Sequence, residues 1–97
     1  MISAFCVGFA FGQTPVPRLP LNADDAENFA KAKAWMIERF QVPPHAKITS
    51  FRASASGTRA VIMWDTVNDG GKPGHWGHTR TYDFQARTII TWLDVVL

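Results

Sequence analysis

The chain has 97 residues, one cysteine, a formal net charge of +2, and 46% hydrophobic against 19% charged residues. That is the length and balance of one folded domain; a lone cysteine excludes an internal disulfide framework and an all-cysteine zinc site. No apolar run approaches the roughly 18 residues of a membrane helix. The ten basic residues are scattered from Arg18 to Arg87 with no run of three, so the charge stripe of a nucleic-acid-binding domain is missing.

Residues 2–11 alternate: Phe5, Val7, Phe9 and Phe11 are bulky, and Ala4, Cys6, Gly8 and Ala10 between them are small. This period of two predicts a strand covered on both faces. The segment lacks the basic start of a secretory signal and reads as part of the fold. Cys6 reads as a small buried thiol, and the cysteine usage suits a reducing cytoplasm. Pro15, Pro17 and Pro20 then mark an extended connector.

A helix is predicted next. Asn22 is the expected N-cap, Asp24, Asp25 and Glu27 fall in the first turn, and Pro43-Pro44 stop the helix after Arg39 or Phe40. At 100° per residue, Ala26, Phe29, Ala30, Met36, Ile37 and Phe40 form one stripe. Lys33 falls within that stripe and Trp35 nearly opposite it. Two readings follow: a broad buried face with the Lys33 stem running outward, or an exposed Trp35 acting as a contact residue.

Four strands follow, over 46–53, 58–66, 77–84 and 87–96. Ser54–Gly57 reads as a hairpin loop and Gln85-Ala86 as a two-residue turn. Val67–Trp76, with three glycines and a proline, reads as a loop. Both faces of the strands are apolar at mid-length, which calls for a second layer, most simply another subunit. The order is β-α-β-β-β-β, an α+β domain over 1–97 with one helix on a curved antiparallel sheet. Cystatin-like folds have this order, a likeness of topology alone that carries no function.

The chemistry-bearing residues gather between Asp65 and Arg80. His75 and His78 have metal-ligand spacing, but residues three apart on a strand point to opposite faces, so they converge only if His75 is in a loop. Asp69-Gly70-Gly71-Lys72 lacks the spacing and the hydroxyl residue of a phosphate loop. No nucleophile motif surrounds any serine, so no catalytic residue, metal or cofactor is assigned. Asp94, among Trp92, Leu93 and Val95, needs a partner if buried, with Arg59 or Arg80 the candidates.

Trp64, Trp76, Tyr82 and Trp92 can share one sheet face with His78 and Arg80 beside them. Such a face suits stacking or a protein interface. The expectation is a non-catalytic binding protein, working through that face or the 67–78 loop. It would be a homodimer in the cytoplasm, of the kind carried by phages and mobile elements to block or modulate a host protein. The binding residues would be Lys33, Trp35, Trp64, Trp76, His78, Arg80, Tyr82 and Trp92. A small-molecule pocket between helix and sheet, anchored by Lys33 with Tyr82 or His78, is the alternative. Nucleic-acid binding would need Arg52, Arg59, Arg80 and Arg87 on one face.

Overall fold

The structure, a computed structural model, describes residues 14–97. The strand expected at 2–11, with Cys6, lies outside the described residues. The elements are helix α1 (Ala26–Arg39) and strands β1 (Lys47–Ala53), β2 (Arg59–Asp69), β3 (Lys72–Asp83) and β4 (Thr88–Val96). The strands form one antiparallel sheet in the order β1-β2-β3-β4, with the helix across one face. The α+β class expected from the sequence is the class observed.

The helix begins three residues later than Asn22 predicts. Asp25 is the N-cap, and its carboxylate accepts from the Asn28 amide at 3.2 Å. Asn22 instead builds the preceding turn: its side chain accepts from the Asp24 amide at 2.9 Å and its carbonyl from the Asp25 amide at 3.0 Å. At the other end Gln41 takes the left-handed conformation (φ 54°). The Gln41 and Val42 amides then donate to the Glu38 and Ile37 carbonyls at 3.2 and 3.0 Å. This pairing satisfies the last carbonyls before Pro43 turns the chain away.

The buried face is also rotated from the expected stripe, by roughly a third of a turn. Asn28, Ala32 and Met36 point into the core, while Ala26 and Ala30 are exposed. Rotation brings in Trp35, which packs on Tyr82 and Phe84 with ring centroids at 4.8 and 5.1 Å. Burying one tryptophan outweighs burying two alanines, because apolar area sets the gain. Trp35 is therefore a core-packing residue rather than an exposed contact. Lys33, off the rotated face, is half-buried at the rim of a groove beside β1. Buried Asn28 also ties the connector to the helix, because its side-chain amide donates to the Arg18 carbonyl and accepts from the Arg18 amide, both at 2.8 Å.

The segment Val67–Trp76 is mostly strand rather than loop. β2 continues to Asp69, β3 restarts at Lys72, and Gly70 and Gly71 form the turn with φ 50° and 83°. Two successive positive φ values match the twist of a two-residue hairpin. A bulge near Asn68 absorbs Pro73, which has no amide for the ladder, and the Asn68 side chain accepts from the Gly74 amide at 2.8 Å. The last turn is also longer than Gln85-Ala86: Asp83 accepts from the Gln85 and Ala86 amides, both at 2.9 Å, and Arg87 is left-handed (φ 57°).

Gly57 closes the β1–β2 hairpin at φ 75°, and its carbonyl accepts from the Leu21 amide at 2.7 Å. A Cβ there would lie 2.4 Å from the Pro20 Cβ and 2.8 Å from the Leu21 nitrogen, whereas one at Gly71 meets nothing within 4 Å. Gly71→Ala is expected to cost only the left-handed strain, about 1 kcal/mol. Gly57→Ala adds a backbone clash and should cost about 3 kcal/mol in urea unfolding. Equal losses would show that the connector does not press on the hairpin.

Candidate functional site

Alternation along β2, β3 and β4 puts Trp64 and Thr66, then Trp76, His78, Arg80 and Tyr82, then Trp92 and Asp94, on the helix-side face. Register makes them neighbours: Trp64 lies opposite His78, His78 opposite Asp94, and Arg80 opposite Trp92. Trp64, Trp76, Tyr82 and Trp92 thus share a face, as expected from the sequence. Their exposure differs. Trp64 and Tyr82 are buried, Trp76 is half-buried with its Nε1 donating to the Pro73 carbonyl at 3.1 Å, and Trp92 is 57% exposed.

Four polar side chains are joined among these rings. The Thr66 hydroxyl lies 2.7 Å from His78 Nε2, and His78 Nδ1 lies 2.7 Å from Asp94 Oδ1. Arg80 Nη1 lies 2.9 Å from that same oxygen and donates to the Thr79 and Leu93 carbonyls at 2.9 and 3.2 Å. Thr66, His78 and Arg80 are only 3%, 7% and 5% exposed. Ionised Asp94 can only accept, so Nδ1 of His78 carries a proton; in the neutral ring Nε2 then accepts from Thr66. Arg80 Nε is buried and makes no hydrogen bond among the described residues.

The rings hold the cation. The Arg80 guanidinium lies 3.9 Å from the Trp92 ring centroid and 5.0 Å from that of Trp64. Trp64 also stacks on His78 at 5.1 Å with an angle of 19°. Phe40, at the end of the helix, packs edge-on against Trp92 at 5.8 Å. A partly desolvated cation between two indoles contributes about 1–2 kcal/mol. Trp92 is therefore exposed yet fixed, with Arg80 beneath it and Phe40 at its side.

Hydroxyl, imidazole and carboxylate in line are the parts of a nucleophilic triad. Two features oppose that use. The Thr66 hydroxyl is enclosed, and Asp94 shares its oxygen with Arg80, which weakens its support of an imidazolium. The arrangement instead suits a cross-strand tie joining β2, β3 and β4.

The expected partner of Asp94 is thus Arg80; Arg59 pairs with Asp83 at 3.1 Å. Arg80 lies on the helix-side face and Arg52 and Arg59 on the other, so the arginines do not make the single surface that nucleic-acid binding requires. His75 is in the strand, exposed and opposite Val67, and points away from His78. His45 meets Asp69 at 3.0 Å, and no group of three potential metal ligands occurs among the described residues. No helix among them is long and apolar enough to cross a membrane. The centre between helix and sheet is occupied by Met36, Ile62 and Trp64, and grooves open along β1 instead. Thr66 was not foreseen as part of the site. Its signal was a hydroxyl at the alternating position that continues Ile62 and Trp64.

The chain matches no protein-family model, and no curated protein or solved structure shows significant similarity to it.

Burial acts to raise the pKa of Asp94, but the hydrogen bonds from His78 and Arg80 outweigh it and hold the carboxyl below its ordinary 3.8. A carboxyl with a depressed folded pKa stabilises the fold above its unfolded pKa, and that contribution is lost as pH falls through the folded value. Acid unfolding should therefore set in below about pH 4. Asp94→Ala should cost about 3 kcal/mol at neutral pH, since it leaves the His78 Nδ1 hydrogen without its acceptor and the buried Arg80 cation without its counter-charge, and should flatten the acid limb. A wild-type acid limb in Asp94→Ala would show that Asp94 does not carry it.

Proposed function

We propose that this is a non-catalytic binding protein whose docking surface is the β4 side of the sheet, with Trp92 as its anchor. One observation carries the reading. Ile90, Trp92, Leu93, Val95, Val96 and Leu97 are all exposed large apolar residues, on or just beyond one strand. Trp92 lies on the helix-side face and Leu93 and Val95 on the other, where they face Thr79 and Gly77 of β3. The apolar surface thus wraps both sides of β4, which is an edge strand among the described residues. Contiguous exposed apolar surface of this kind marks a contact region, and tryptophan with arginine beneath it is the composition of an interface centre.

A second copy of the chain is the proposed occupant. The only charge between Thr88 and Val96 is Asp94, already satisfied by His78 and Arg80. Two β4 strands can therefore approach without like-charge repulsion, and without the lysine or proline that guards a free edge. The same surface would serve to cover and block a target protein.

Native mass spectrometry at micromolar concentration tests this directly. The wild type should appear as a dimer. Leu93→Lys with Val95→Lys should give single chains with nearly unchanged unfolding, because exposed positions tolerate substitution within about 0.5 kcal/mol. A wild type that remains a single chain overturns the second copy as occupant.

A further inference from the structure

We infer that the second copy joins β4 as an antiparallel strand centred on Leu93, so that the Trp92 indole of each copy donates to Asp94 of the other. This deepens the β4 reading and rests on it. β4 pairs only with β3 among the described residues, so its other side is an open edge there. The Leu97 amide donates to the His75 carbonyl at 2.8 Å. Backbone groups alternate in direction along an antiparallel strand. Leu93, Val95 and Leu97 therefore turn theirs to β3, and Trp92, Asp94 and Val96 turn theirs outward. Two copies then pair through the even-numbered residues of both strands, which places the two-fold axis at a residue.

Few centres are open to that axis. The register shift at Thr81/Tyr82 leaves Ile90 without an opposite residue on β3, so the regular run is 91–97. An axis at Trp92 overlaps residues 91–93 alone, and an axis at Val95 leaves Trp92 beyond the end of the partner strand. An axis at Asp94 sets two carboxylates face to face. In each, Oδ1 is taken by His78 and Arg80, and Oδ2 has no hydrogen-bond partner among the described residues. Ionised carboxylates only accept, so no hydrogen would join them.

An axis at Leu93 sets Trp92 opposite Asp94 twice, on the helix-side face. The Trp92 ring touches the Arg80 guanidinium and Phe40, and its Nε1–H has no acceptor among the described residues. Opposed side chains stand about 5 Å apart at Cβ, within reach of an indole, so this N–H meets the free Oδ2. On the other face Leu93 meets Leu93 and Val95 meets Thr91, which covers two exposed apolar side chains.

The test uses the full chain with one cysteine added at a time, under mild oxidation. Leu93→Cys should give a disulfide-linked dimer, because opposed Cα atoms lie about 4.5–5.5 Å apart. Val95→Cys should not, since its two copies lie four residues apart along the strands, about 13 Å. Peptide mass spectrometry separates these bonds from any through Cys6. Trp92→Phe keeps a ring and removes the N–H, and should raise the dimer Kd about tenfold in sedimentation over a dilution series. A wild type that stays a single chain overturns the β4 reading and this register with it. A wild-type dimer that links through Val95→Cys, or through neither cysteine, overturns the register alone. Linkage at residue 93 with an unchanged Kd for Trp92→Phe overturns the Trp92–Asp94 bond.

Discussion

A single carboxylate oxygen organises the exposed half of this molecule. Asp94 Oδ1 receives both His78 and Arg80, and through them β4 is tied to β3 and, by way of Thr66, to β2. The helix lies over the other half: its aromatic contacts run from Phe51 on β1 to Tyr82 on β3 and reach β4 only where Phe40 meets Trp92. Without the tie, β4 would rest on its backbone ladder, the packing of Ile89 against the core and the contacts of Trp92 with Arg80 and Phe40. A buried cation and imidazole are costly when unpaired, so the network holds as a unit or not at all.

That rigidity explains how a large apolar side chain can be kept in solvent. An exposed indole on a free rotor loses conformational entropy when it docks. Trp92 has lost most of that freedom already, pressed between the Arg80 guanidinium and the Phe40 ring. The polar network lies inward and the apolar surface outward, on neighbouring residues of one strand. This division leaves the apolar side chains of β4 exposed while its one charge is paired inward.

Much of this was legible in the sequence, and the parts that were not share a cause. Gly57 marked its hairpin and Pro43-Pro44 marked the end of the helix because each residue type has one strong conformational consequence. Asp94 announced a partner because a lone charge between Leu93 and Val95 has few alternatives. The N-cap slipped from Asn22 to Asp25 because several polar residues, any able to start a turn, lie within a few positions of one another. The helix face was misplaced because counting alanines as equal to tryptophan hides how strongly area favours burying Trp35. Val67–Trp76 looked like a loop because glycine, proline and asparagine were read as breakers, whereas two glycines make the turn and a bulge accommodates the proline. The Thr66–His78–Asp94 line depends on cross-strand register, which alternation alone does not supply. The grooves beside β1 depend on how the helix lies over the sheet, which no local pattern encodes.

The tie across β2, β3 and β4 rests on Asp94 holding His78 in one orientation. Long-range ¹H–¹⁵N correlation of the His78 ring at neutral pH reads this directly. The expected result is a protonated Nδ1 whose hydrogen exchanges slowly, together with an observable Thr66 hydroxyl proton. A ring protonated only at Nε2, with fast-exchanging hydrogens and no Thr66 hydroxyl signal, would contradict it.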